Sequence, residues 1–174
     1  MEEFKSQEQI KFPEIAQEII GMTEVDQDMR EKEINEPDFL DDTIDKKNTE
    51  GMKEIVEEIG WPSVSKVGKK ASIDAWLLVQ HADHDVDFQS YCLSLMNELP
   101  AGEVRAEDIA LLTDRVRVNS GQPQVYGTQF REMDGKHVPK DIEGIENVNE
   151  RRKAIGLDTL EENIERMYKK YPVK

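Results

Sequence analysis

Apolar residues along this chain recur mostly at helical spacing. Placed at about 100° per residue, Phe12, Ile15, Ile19, Met22 and Met29 share one face of a helix over the first thirty or so residues, with Pro13 in its first turn. Asp26 and Arg30 fall on that same face, so charge enters a stripe meant for burial. Residues 34 to 48 lose the period, contain Pro37 and read as a long loop. From Thr49 to Ile59 a face of Met52, Ile55, Val56 and Ile59 returns, with Gly60 placed to end the helix. A turn with a short helical piece, Trp61 to Gly68, then leads into a helix over about residues 69 to 82. Its run Ala75-Trp76-Leu77-Leu78-Val79 has no polar face and belongs to a buried segment, yet it continues straight into Gln80-His81-Ala82-Asp83-His84-Asp85.

Asp83 to Asp87 joins this helix to another, whose stripe of Phe88, Tyr91, Cys92, Leu95, Met96 and Leu99 stops at Pro100-Ala101-Gly102. Glu107 to Asn119 gives a further helix with Ile109, Leu112 and Val116 on one side. The period then changes. Gln124 to Arg131 and Lys136 to Pro139 flank Met133-Asp134-Gly135, and Asp-Gly between extended stretches predicts a hairpin. Within it, Gly127 leaves room for a ligand or another backbone to come close. Two short helices follow residues 141 to 147, the second with Leu160, Ile164, Met167 and Tyr168 on one face. The expected fold is mostly α (α+β), a compact multi-helix domain with one β-hairpin around residues 124–139 and a single domain over residues 1–174.

Composition narrows the functional classes. Hydrophobic residues make up 37% of the 174 against 35% charged, and a mean hydropathy of -0.72 leaves a modest core under a charged surface. The net charge of -15 lacks the clustered Lys and Arg that phosphate contact needs, so nucleic acid is not an expected partner. No stretch approaches the roughly 20 apolar residues of a membrane span, and the acidic start lacks the layout of a secretion signal. The expected compartment is cytoplasmic. Cys92 is the only cysteine, which rules out an internal disulfide or a thiolate cluster, and its helical stripe makes it core filler.

Two of the three histidines fall within four residues, at the end of the buried helix. His81 reads as a proton-transfer group oriented by Asp83 or Asp85, because a histidine works best when a second group fixes its tautomer. If the helix continues, His81, His84 and Asp85 also share a face that would meet a metal, with His137 or a remote carboxylate as the missing ligand. The same groups can instead cap the helix. Asp26 with Arg30 is either a structural network or an anion-binding arginine, and Asp114 with Arg117 is an i,i+3 pair. Strand alternation would project Gln124, Tyr126 and Thr128 together, where amide and phenol groups hold a polar ligand or satisfy backbone. Trp61 and Trp76 are core anchors, and the phosphate-loop, dinucleotide, nucleophile-elbow and zinc-protease signatures are absent, so no cofactor is expected.

Taken together, Gly60-Trp61-Pro62, Val67-Gly68, Ala75 to Asp83, Asp114-Arg115-Val116 and Gly121 to Phe130 resemble a bacterial family known as a domain of unknown function. Asp26-Gln27 with Arg30, and Arg151-Arg152 with Gly156-Leu157, extend the resemblance over about residues 20 to 160. It implies a bacterial-type single domain and lends no activity, cofactor or substrate.

The reading that follows is a cleft between the end of the 69–82 helix, the Asp26/Arg30 face and the hairpin, binding a small polar or anionic molecule. In it His81 moves protons and Asp83 orients it. Arg30 and Arg115 hold negative charge, while Gln80, His84, Gln124, Tyr126 and Gln129 position the ligand. Hydrolysis is the least committed reaction class. The rival reading is a non-catalytic acidic interaction protein of the immunity type, with a structural polar core and a basic protein partner.

Overall fold

The computed structural model describes residues 10–36 and 42–171. Its elements are α1 (Pro13–Asn35), α2 (Thr43–Ile59), α3 (Val64–Gln80), α4 (Val86–Asn97), α5 (Ala106–Asn119), β1 (Phe130–Met133), β2 (Lys136–Pro139), a 3-10 turn at Ile145–Asn147, α6 (Val148–Ala154) and α7 (Leu160–Lys170). The fold is mostly α with one antiparallel hairpin, as the apolar periods predict. Among the described residues no helix is long and apolar enough to cross a membrane. The chain divides into two compact units, the first made of residues 1–82 and 99–104, the second of 83–98 and 105–174.

In the first unit α1, α2 and α3 pack against one another around Ile19 and Met29, Met52, Ile55 and Val56, and Val67, Ala75 and Leu78, with Trp61 buried beside them. The buried line on α1 is Ala16, Ile19, Thr23, Asp26 and Met29, so charge does lie on the core face. The loop expected over residues 34 to 48 is much shorter. α1 runs to Asn35 and α2 already starts at Thr43, while residues 37–41 of that expectation lie outside the described residues. The first turns of α2 carry no apolar stripe, yet Asn48 and Thr49 are buried and the Thr49 hydroxyl bonds back to Asp45 O, so tertiary packing overrides a weak local pattern. At its other end α2 stops at Gly60 (φ 67), and Lys66 Nζ donates to the carbonyls of Ile59 and Trp61. Gly68 (φ 81) then breaks α3 into the short piece and the long helix anticipated from its sequence.

In the second unit α4 packs on α5, and α7 on β2 and α6, burying Phe88, Cys92, Met96, Leu112, Val148 and Leu160. Asp134 (φ 52) and Gly135 (φ 69) both take the left-handed conformation of a two-residue turn and set the register Met133↔Lys136 and Phe130↔Pro139. The first strand begins at Phe130, not Gln124. Residues 124–129 are instead wrapped around the fully buried Asp114 carboxylate, which accepts the backbone N–H groups of Val125, Tyr126 and Thr128 and the Thr128 hydroxyl at 2.7–2.9 Å. The alternation that grouped Gln124, Tyr126 and Thr128 on one face is therefore absent. Gly127 (φ 73) is tight for a packing reason: a Cβ there would stand 2.7 Å from Leu160 and 2.9 Å from Ile142. Burial, then the Asp85 charge, pushes the Cys92 thiol up to about 12, which leaves it a core residue with no thiolate at neutral pH.

Candidate functional site

The first unit gathers a polar cluster from three helices. α1 supplies Asp26 and, one turn on, Arg30; the first turns of α2 supply Asp45; and α3 ends at Gln80, which makes His81 its C-cap. His81 Nδ1 lies 2.9 Å and 3.0 Å from the two oxygens of Asp26, a side chain with no solvent exposure. Gln27 Nε2 donates to the same carboxylate at 2.7 Å. Arg30 Nη2 stands 2.5 Å from Asp45 Oδ1 and 3.7 Å from Asp26 Oδ1, and its Nη1 is 3.2 Å from Glu33. Burial pushes the Asp26 pKa up, but the hydrogen bond and charge of His81, with Gln27 and Arg30, outweigh it and hold the carboxyl below the ordinary range. Asp26 is therefore ionised at neutral pH.

With Nδ1 against a carboxylate, a neutral His81 carries its proton on Nδ1, the tautomer that this hydrogen bond assigns, and leaves the Nε2 lone pair to accept. The side chain is 22% exposed, so the ring is held by the interior without being sealed in it. One ligand atom from each of Asp26, Asp45 and His81 also lies within 4.8 Å of the other two. Arg30 does not fit its expected part. Three carboxylates flank its single guanidinium, which leaves no surplus positive charge for an anion.

The carboxylate on His81 is Asp26 and not Asp83 or Asp85. In the second unit Asp83 accepts from Arg115 Nη1 at 2.5 Å, Asn119 Nδ2 at 2.9 Å and Gln89 Nε2 at 3.2 Å, while Asp85 caps α4 through the Phe88 N–H. That pairing also engages Arg115, the other arginine expected to hold an anion. Gln124 is fully buried and its amide is closed on backbone: Nε2 donates to Gln129 O and Lys140 O, and Oε1 accepts from Gln129 N. It cannot position a ligand. Tyr126 and Gln129 are half-buried, with the Gln129 amide 3.3 Å from Thr128 Oγ1, and Gln80 is buried at the end of α3. His84 is exposed in the turn after α3. Because α3 ends at Gln80, the helical spacing that put His81, His84 and Asp85 on one face is lost, and His137 Nε2 donates to Tyr171 O instead of waiting for a metal.

A family model described as a family of unknown function, DUF6624, matches residues 13–174. The chain belongs to DUF6624. No curated protein and no solved structure matches it.

Sequence reasoning about this DUF6624 chain missed Asp45, Gln27 and Glu33 in the cluster and Asp114 as a loop organiser. Asp45 fell in a segment with no apolar period, and Asp114 had a nearer apparent partner in Arg117, which instead bonds Pro123 O and Glu143. Asp83 gives a pH prediction. Burial raises its pKa, but the Arg115 charge and hydrogen bond, with Asn119 and Gln89, bring the net value below the ordinary one. A depressed folded pKa adds stability that is complete above the unfolded value of about 3.9 and disappears as pH falls through the folded value. Asp83→Asn should therefore flatten the fall of Tm as pH drops below about 4. An acid limb identical to wild type would refute the assignment.

Proposed function

We propose that the Asp26–His81 cluster of the first unit is a hydrolase-like site that activates a water molecule for attack on a small polar substrate. The observation supporting it is the bond of His81 Nδ1, at 2.9 Å and 3.0 Å, to a wholly buried carboxylate. A bare imidazole at a helix end rotates and exchanges tautomers; one fixed by a buried, ionised Asp presents its other nitrogen in a single orientation, which is what water activation needs. Ala75, Leu78 and Val79 are buried in the turns before it and keep this end of α3 from shifting. With Arg30 already matched by carboxylates, the group of the substrate that meets this cluster is neutral or cationic.

The test is a screen of chromogenic ester, amide and phosphoester substrates, followed by His81→Asn on the substrate turned over. Asparagine keeps a polar side chain and cannot supply the ring, so kcat/KM should fall by about 10²- to 10⁴-fold with the thermal transition intact. Unchanged turnover in a folded His81→Asn protein would remove the site.

A further inference from the structure

The charges around Arg30 do not balance. Asp26, Asp45 and Glu33 all lie within 4.0 Å of its guanidinium nitrogens, so three carboxylates meet one guanidinium. One further divalent cation would bring the group to neutrality. The donors for it are in place: ligand atoms of Asp26, Asp45 and His81 within 4.8 Å of one another. Two ligands about 2.1 Å from one ion lie about 3.0 Å apart at right angles and about 3.4 Å apart at the tetrahedral angle. His81 Nδ1 and the Asp26 oxygens stand at 2.9 Å and 3.0 Å.

Arg30 itself marks the position. Its Nη2 touches Asp45 and faces Asp26, bridging the two carboxylates that would bind the ion. Its Nε is buried and has no hydrogen-bond partner among the described residues, so the side chain is held from one end only. Asn48, one turn beyond Asp45 on the same face of α2, is 5% exposed, and its Nδ2 also lacks a partner among the described residues. That open Nδ2 is a donor and does not ligate a cation; only the amide's oxygen, on rotation of the side chain, would.

We propose that this cluster binds a divalent transition-metal cation through Asp26, Asp45 and His81, in exchange for Arg30, which withdraws toward Glu33. Two carboxylates and an imidazole suit Mn²⁺, Fe²⁺ or Zn²⁺, while Ca²⁺ wants six or more oxygens and Mg²⁺ rarely takes imidazole. Ligation through Nδ1 puts the ring proton on Nε2, so with the cation bound His81 acts as a ligand and no longer as the base that activates water. The inference rests on the cluster being the working site, and it supplies the group that activates water there: a bound cation lowers the pKa of its water toward neutrality.

The experiment uses the full chain stripped with chelator and titrated with MnCl₂, ZnCl₂ and MgCl₂, followed by calorimetry and by Tm. One Mn²⁺ or Zn²⁺ should bind per chain and raise Tm with concentration, with Mg²⁺ much weaker. Asp45→Asn should weaken binding by about tenfold or more, and Arg30→Met should tighten it by about tenfold, because the internal competitor is gone. Arg30→Gln serves if the methionine variant does not fold. Absence of stoichiometric binding, equal affinity in Asp45→Asn, or weaker affinity in the Arg30 variant each overturns the proposal. Turnover lost in His81→Asn but untouched by chelator removes the cation and leaves the proposed site. Cation binding that obeys these variants, with turnover indifferent to His81→Asn, removes the activity and leaves the cation.

Discussion

Asp114→Ala should destabilise the protein by at least about 3 kcal/mol, because three backbone N–H groups lose their acceptor at once and each costs about 1–3 kcal/mol when left unpaired. Val125, Tyr126 and Thr128 all donate to this one carboxylate, and the Thr128 hydroxyl adds a fourth bond. The loop's carbonyl side would survive, since Arg151 Nε holds Val125 O at 2.9 Å and Arg152 Nη1 holds Tyr126 O at 2.7 Å. The expected outcome is therefore a loosened loop on an anchored base. Asp114→Asn should fall between, because the amide oxygen still accepts while its NH₂ faces N–H donors. All four tyrosines lie in the second unit and both tryptophans in the first, so urea unfolding followed by tyrosine near-UV signal reads this change. Amide exchange at Val125, Tyr126 and Thr128 should accelerate with it. A loss below about 1 kcal/mol with exchange unchanged would mean water replaces the carboxylate, and the organising role would fail.

Why the helices were legible in the sequence and this loop was not comes down to the range of the forces. Ile19 and Met29, Met52 and Ile55, and Phe88 and Cys92 announce buried faces through spacing alone, because a helix face is a local property of the chain. Asp134-Gly135 announces its turn for the same reason. Charge on the face of α1 was visible as well, and burial of Asp26 confirms that it faces inward. What stayed hidden was pairing over long sequence separations. Asp26 and His81 are 55 residues apart, Asp114 and the loop it organises 11 to 14, and nothing in the spacing chooses Asp26 over the nearer Asp83 as the partner of His81. Local proximity misled in the same way at Asp114 and Arg117. Gln124 shows a further limit: the residue type that binds a ligand also closes a backbone gap, and only its two carbonyl acceptors and one N–H donor decide which.

Asp26→Ala should cost about 2–4 kcal/mol, and the way the cost is distributed tests how the cluster is built. Removing one member of a buried ion pair usually strands the other charge. Here Arg30 would not be stranded, because Asp45 and Glu33 remain on its Nη atoms. The loss falls on His81 and Gln27, whose donors have Asp26 as acceptor, and on the small void left in the α1 core face. Asp26→Asn should cost less, since it keeps the volume and one acceptor oxygen, but its NH₂ would meet Nδ1–H donor to donor unless the ring changes tautomer. Nitrogen NMR of the His81 ring separates these cases. Wild type should show the Nδ1–H form in the metal-free neutral state, and Asp26→Asn a shift of population toward Nε2–H. If the tautomer stays put and stability drops by the full amount of the alanine variant, the carboxylate acts only as packing, and His81 loses the orientation on which water activation depends.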